Sequence, residues 1–322
     1  MARIAILGAV GLAALIALVL LVAVFFMGSA TVEKETPFTI APGSSLGAVA
    51  NKLEKNALIS SATGFTLRAK LIGGSQPIQA GEFLLKPDMD QGDILDAFQS
   101  GDVIRRFVTI PEGMPSILVH ERLMAEELLT GEIDVPVEGS ILPDTYDFER
   151  GQSRKELVER MQAAMDIYLA KAWAERKDDI AVTTIRETLT LASIVEKETG
   201  VPEERRMVAG LYSNRVKTGM MLQADPTIIY PMTKGKPLGR RIRQSEIAAL
   251  NDYNTYTMAG LPKGPITNPG RESIAAVLNP AKTKALFMVA DGSGGHAFAE
   301  TNAQHNANVE KWYALRRSKG EM

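Results

Sequence analysis

The sequence predicts an α+β protein: a single N-terminal transmembrane helix, a small strand-and-helix unit, and a larger, mostly helical domain with a late β-hairpin. Three observations carry this prediction. The run from Ile4 to Met27 is apolar, and no charge follows until Glu33. Strand and helix patterns alternate in short elements from Pro37 to Ile110. Beyond Pro111 helical spacing dominates until strand signals return at Ala285–Ala290 and His296–Phe298.

The N-terminal run is long enough to span a bilayer core, which needs ~20 apolar residues, and exceeds the apolar core of a cleavable signal peptide. With Arg3 as the only charge before it, residues 1–3 are expected in the cytoplasm and 4–27 in the membrane. The run is therefore expected to be a single-pass anchor with the bulk of the chain outside the cytoplasm. Residues 28–36 read as a linker.

Residues 37–110 form the expected small unit. Pro37–Ile40 reads as a strand, followed by a helix with Leu46, Val49, Ala50 and Leu53 at helical spacing and Ser44 or Ser45 as its cap. A second helix covers Ala62–Leu71, and Gly81–Leu85 is a strand. Asp90–Phe98 is a capped helix closed by Gly101, and Val103–Ile110 is another strand. Residues 111–322 form the larger domain. Helices are expected at Ser116–Leu129, Ser153–Trp173, Thr183–Thr199, Glu203–Thr218 and Asn302–Lys319. Ser153 and Glu156 fit a capping box, and Asp291–Gly295 is a glycine-rich hairpin turn.

Composition narrows the chemistry. The chain has no cysteine, which excludes disulfides and thiolate catalysis. A net charge of −2 predicts no basic surface, so nucleic acid is not an expected partner. His120, His296 and His305 form no ligand spacing, and Gly292–Gly295 lacks the lysine of a phosphate loop. No metal or cofactor is expected.

The stretch Leu189–Gly200 is the most informative. It is an apolar helix ending in Glu196, Glu198 and Thr199, with Gly200 as its expected left-handed stop. A carboxylate desolvated at the mouth of such a helix gains a raised pKa, as a general acid near neutral pH requires. Two residues apart, Glu196 and Glu198 point in nearly opposite directions. Asp225 is the obvious second carboxylate, although Asp-Pro also favours a turn in which Asp bonds backbone amides. Gln223, Thr227, Asn254 and Thr255 can hydrogen-bond sugar groups, and Tyr253 and Tyr256 offer flat faces.

In order along the chain come Glu138-Gly-Ser-Ile-Leu-Pro-Asp-Thr-Tyr146, Leu189–Gly200, Leu222-Gln-Ala-Asp-Pro-Thr-Ile-Ile-Tyr230, Tyr253-Asn-Thr-Tyr256, Gly260–Gly270, Gly294-Gly-His-Ala-Phe298 and His305-Asn306. Together these resemble the endolytic murein transglycosylase family (YceG-like/MltG), and the resemblance covers almost the whole chain. It implies a LysM-like unit at 37–110 and a catalytic transglycosylase domain at 111–322. It also implies that Glu198 is the acid, since Glu198-Thr199 matches the Glu-Ser or Glu-Thr pair of lysozyme-like lytic transglycosylases. Gln223, Asp225, Thr227, Tyr253, Asn254, Thr255 and Glu196 are the expected substrate-binding residues. Leu142 and Ala224 depart from the pattern, standing where an aromatic and a hydroxyl residue are common.

The implied reaction cuts between N-acetylmuramic acid and N-acetylglucosamine and leaves 1,6-anhydro-muramic ends. Peptidoglycan strands and membrane-bound synthases (penicillin-binding proteins) are the implied partners, and the bacterial inner membrane, single-pass with the C-terminal part periplasmic, is the implied location. The alternatives are a hydrolytic muramidase and a non-catalytic glycan-binding scaffold of the synthesis machinery.

Overall fold

The computed structural model describes residues 11–21 and 30–321. Residues 11–21 are helical (α1), with Leu12, Leu15 and Ile16 among the exposed side chains. No helix among the described residues is long and apolar enough to cross a membrane. This overturns two expectations, the N-terminal transmembrane helix and the single-pass inner-membrane location. The criterion is length: a hydrocarbon core of about 30 Å needs about 20 apolar helical residues, and no helix among the described residues meets it. Positions 4–10 and 22–27 of the expected span lie outside the described residues.

The α+β class is as expected, and the chain divides into two compact units at Arg106. In the first unit, β1 (Thr36–Ile40) pairs antiparallel with β2 (Gly81–Leu85), with Phe38 opposite Phe83. Alternation sends Phe38 and Ile40 inward. The helices α2 (Leu46–Lys55), α3 (Ala62–Ile72) and α4 (Gln91–Ser100) complete the unit. Ser45 caps α2 by accepting from Ala48 N at 3.2 Å. Asp90 and Asp93 form a capping box on α4, and Gly101 ends it at φ 73°. Phe98 stacks on Phe38 (5.6 Å) and meets Phe83 edge-on (4.9 Å), so three aromatic rings fill the core.

The second unit begins within β3 (Arg106–Thr109), which pairs with β4 (Thr145–Phe148). Its helices are α5 (Ser116–Met124), α6 (Arg154–Ala174), α7 (Ile185–Glu198), α8 (Arg205–Lys217), α9 (Asp225–Thr233), α10 (Gln244–Ile247), α11 (Arg271–Leu278) and α12 (Asn302–Ser318). The hairpin β5 (Phe287–Ala290) and β6 (His296–Ala299) turns through Gly292 and Gly294, both at positive φ. The centre of the unit is α7, which packs on α8 and α11. Its residues Leu191 to Val195 are all buried.

Several local expectations change. α5 stops at Met124 because the buried Arg154 guanidinium collects the carbonyls of Leu123, Met124, Glu126 and Gly131 at 2.7–3.3 Å. Ser153 makes no side-chain cap; it sits in a parallel bridge with Thr130. Gly200 is not left-handed: α7 ends at an extended Thr199, whose hydroxyl accepts from Val201 N at 3.0 Å. Asp225 opens a helix rather than a turn, because Pro226 is tolerated in a first helical turn where its missing N–H costs nothing.

Candidate active site

Helix α7 delivers the carboxyl of Glu198. Thr184 and Glu187 form its capping box, and Thr183 adds two bonds to Glu187 at 2.6 and 2.7 Å, which fixes where the helix starts. Ser193 locks its buried face to the segment before α11 by accepting from Ile266 N at 3.0 Å. Glu198 is the last of the fourteen residues of the helix.

Glu198 is hemmed in by protein but keeps a solvent-facing part of its side chain. Burial pushes its pKa up to about 7; a hydrogen bond from Tyr212 pulls down, the charge of Asp225 pushes up, and Arg215 pulls down. Tyr212 is itself buried, and burial followed by the Glu198 charge holds its phenol far above the ordinary range. It therefore stays a hydrogen-bond donor to the acid at every working pH.

Tyr212 and Arg215 lie three apart on α8 and so share a face. The Arg215 guanidinium is buried and pinned by three carbonyls: Leu222 at 2.6 Å, Leu286 at 2.7 Å and Met221 at 3.3 Å. It lies over the Phe287 ring at 5.6 Å, on whose ring His305 stacks at 5.3 Å. By holding residues 221 and 222, Arg215 sets the approach of the chain to Asp225.

Asp225 stands exposed at the start of α9 and accepts a hydrogen bond from Tyr256 at 2.6 Å. Glu198, Tyr212, Arg215, Asp225 and Tyr256 thus form one electrostatic cluster. Gln223 precedes it, exposed and at φ 51°, with its N–H donated to Thr255 O at 3.0 Å.

The other expected binding residues fall into two places. Thr227, Asn254 and Thr255 are fully buried behind the cluster. Thr227 and Thr255 join hydroxyls at 2.8 Å, and Thr255 accepts from Ala224 N at 3.1 Å. Asn254 donates to the carbonyls of Ala249 (2.7 Å), Ile247 (2.9 Å) and Glu246 (3.3 Å), and accepts from Tyr256 N at 3.0 Å. Asn254→Ala is expected to cost about 2–3 kcal/mol of stability, because three carbonyls lose the donor that the fully buried Asn254 supplies. Urea unfolding followed by tryptophan fluorescence checks this, since Trp173 and Trp312 both lie in the second unit.

Tyr253 is half-buried, with its ring 4.9 Å from that of Tyr230. Tyr230 in turn hydrogen-bonds Glu138, whose carboxylate also accepts from Ser116 N at 2.9 Å. Burial raises the Glu138 pKa, against the pull of these bonds. Glu196 points the other way from Glu198, toward α11, where it accepts from Gly270 N at 3.0 Å. It lies beside Glu112, whose pKa rises through burial and then through the Glu196 charge.

Tyr212, Arg215 and Glu138 were not singled out from the sequence as site residues. The signal for the first two was present: polar groups three apart on a helix whose neighbours Leu211 and Val208 are buried. His296 and His305 both lie at the hairpin, but apart in role. His296 Nδ1 pairs with Glu204 at 2.8 Å, while His305 packs on Phe287. Among the described residues no group of three His, Cys, Asp or Glu side chains is placed to hold a metal ion.

Chemically, the cluster offers one carboxyl protonated near neutral pH, a permanent donor to it, and a second carboxylate held in place by a phenol. A model of the YceG-like family matches residues 38–311. The endolytic murein transglycosylase of Bacillus subtilis (strain 168) is 29% identical over 325 residues, covering 89% of this chain and 89% of the relative. That of Streptococcus pneumoniae serotype 2 (strain D39 / NCTC 7466) is 28% identical over 326 residues, covering 86% of this chain and 58% of the relative. The 2.6 Å crystal structure of a YceG-like protein from Listeria monocytogenes superposes with a TM-score of 0.52 at 26% identity, covering 85% of this chain and 99% of that one.

Proposed function

We propose that this chain, which belongs to the YceG-like family, is an endolytic lytic transglycosylase of peptidoglycan. It cuts the β-1,4 bond between N-acetylmuramic acid and N-acetylglucosamine inside glycan strands and leaves 1,6-anhydro-muramic ends. The observation that carries the mechanism is the Glu198 carboxyl, desolvated to a pKa of about 7 beside Tyr212 and Asp225.

Glu198 gives its proton to the glycosidic oxygen as the bond to muramic C1 breaks, and the N-acetylglucosamine leaves with a free 4-hydroxyl. The Tyr212 hydroxyl, donating to the carboxylate just formed, stabilises it. The Asp225 carboxylate, oriented by Tyr256, supplies negative charge where oxocarbenium character develops. The muramic C6 hydroxyl then attacks C1 and returns its proton to Glu198, closing the 1,6-anhydro ring. No water is consumed, and the acid ends in its starting state. An intramolecular nucleophile gains from proximity what a captured water would lack.

Two further assignments belong to this reading. The first unit is the LysM-like module, and the second carries catalysis. The partners are peptidoglycan strands and the penicillin-binding proteins that synthesise them.

A second reading is favoured by one observation: Asp225 is close enough for its charge to act on Glu198. In a muramidase Asp225 would instead activate water. The test is mass spectrometry of fragments released from purified strands. Anhydro ends support the transglycosylase, and reducing ends the muramidase. Neither product from the folded chain would leave a glycan-binding scaffold.

The pH profile gives a second check. The acid role needs Glu198 protonated, so kcat/KM is expected to fall about tenfold per pH unit above about 7. Asp225→Asn removes a charge that raises the Glu198 pKa, so this alkaline limb moves to lower pH, with kcat/KM down by about 10- to 100-fold. A limb that stays in place would show that Asp225 does not act on the acid.

A further inference from the structure

We propose that a groove on the loop from Leu250 to Lys263 binds the peptide carried by the muramic acid, so that the site selects peptide-bearing strands. This rests on the transglycosylase reading and names a part of the substrate that reading leaves open. The groove is shallow and open to solvent, with a volume of about 600 Å³. Leu250, Met258 and Leu261 give it apolar walls, while Asp252, Thr257 and Lys263 form a polar rim.

Three features identify the occupant. The first is apolar surface: Leu250, 87% exposed, stands with Met258 and Leu261 on the same groove. The second is charge. Lys263 Nζ and Asp252 pair at 3.1 Å on the rim, each still well exposed. A short peptide with methyl side chains, a free carboxylate and an amine matches this set: Lys263 for the carboxylate, Asp252 for the amine, and the aliphatic walls for the methyl groups. A sugar ring would call for flat aromatic faces, and the groove is walled by aliphatic and ionic side chains instead.

The third feature is position. Thr257 and Met258 directly follow Tyr256, whose hydroxyl holds Asp225 at 2.6 Å beside the acid. Met221, which precedes the Leu222-to-Asp225 segment, bridges to Ala259 of the same loop. The muramic acid at the cleaved bond carries its peptide on the lactyl group of the same sugar. A peptide leaving that sugar on the Asp225 side would run along this loop toward the groove.

The test compares kcat/KM of the full chain on glycan strands that keep their peptides with strands stripped of them by an amidase. The wild type is expected to prefer peptide-bearing strands by about tenfold or more. The double variant Leu250→Ser/Lys263→Ala should bring that ratio to within about twofold of one. Both positions are exposed, so folding is not at stake. A wild-type ratio near one, or a ratio unchanged in the variant, overturns the proposal. If the folded chain cuts neither strand type, the transglycosylase reading fails, and isothermal titration with an N-acetylmuramoyl tripeptide decides the groove separately. Saturable heat that disappears in the double variant supports it; no heat from the wild type sinks it.

Discussion

Glu198→Gln is expected to lower turnover by about 10³-fold while making the second unit more stable at alkaline pH. Both effects come from one cause. Glutamine is nearly isosteric but cannot give up a proton, so the step that protonates the glycosidic oxygen is lost. The same desolvation that raises the Glu198 pKa from 4.5 to about 7 makes its charged form costly in the folded state. Between pH 4.5 and 7 the folded chain binds more protons at this site than the unfolded chain, so stability falls as pH rises through that window. Above about 7 the cost is fully present, and a neutral glutamine removes it. Allowing for the solvent-facing part of the side chain, the gain is about 2–3 kcal/mol at pH 8 and close to zero at pH 5. Urea unfolding at both pH values, read by tryptophan fluorescence, measures it. A variant no more stable than the wild type at pH 8 would mean that the carboxyl is solvated, and the acid assignment would lose its physical basis.

Arg215→Met should have the largest effect on stability, a loss of about 3–5 kcal/mol. The guanidinium is buried, and methionine offers its volume without its donors. The carbonyls of Met221, Leu222 and Leu286 would be left without this partner. The segment leading to Asp225 would lose the group that holds it, and activity should fall with stability. Arg215→Lys restores the charge but not the planar fork, so it should recover only part of either. Because the Arg215 charge lowers the Glu198 pKa, any residual activity of the methionine variant should keep its alkaline limb at higher pH than the wild type. Urea midpoints with the pH profile of kcat/KM separate the two roles. A methionine variant within 1 kcal/mol of the wild type would show that the three carbonyls find water instead.

How far the sequence was legible depended on whether a feature was local. The caps of α2 and α4, Phe38 and Ile40 on one strand face, and the hairpin at Gly292 and Gly294 follow from spacing within ten residues. So does the contrast between Glu196 and Glu198, which the structure sends to Gly270 and to Tyr212 respectively. Thr255 shows the other side. Its hydroxyl chemistry suits a sugar, and nothing adjacent in sequence reveals that Thr227 and Ala224, 28 and 31 residues away, already occupy it. The helix at Asp225 was hidden because two prolines, Pro226 and Pro231, mask its period. The apolar run at 4–27 met a length criterion for a span that no helix among the described residues satisfies.

By itself the sequence determined the α+β class, the family, and an apolar helix ending in a carboxylate with a threonine beside it. Only the tertiary structure decided what surrounds that carboxylate. Tyr212 and Arg215 reach it because α8 packs on α7, and Asp225 reaches it because α9 packs there as well. A pKa depends on burial and on charges within a few ångströms, and those distances are set by helix packing between residues up to 27 apart in the chain.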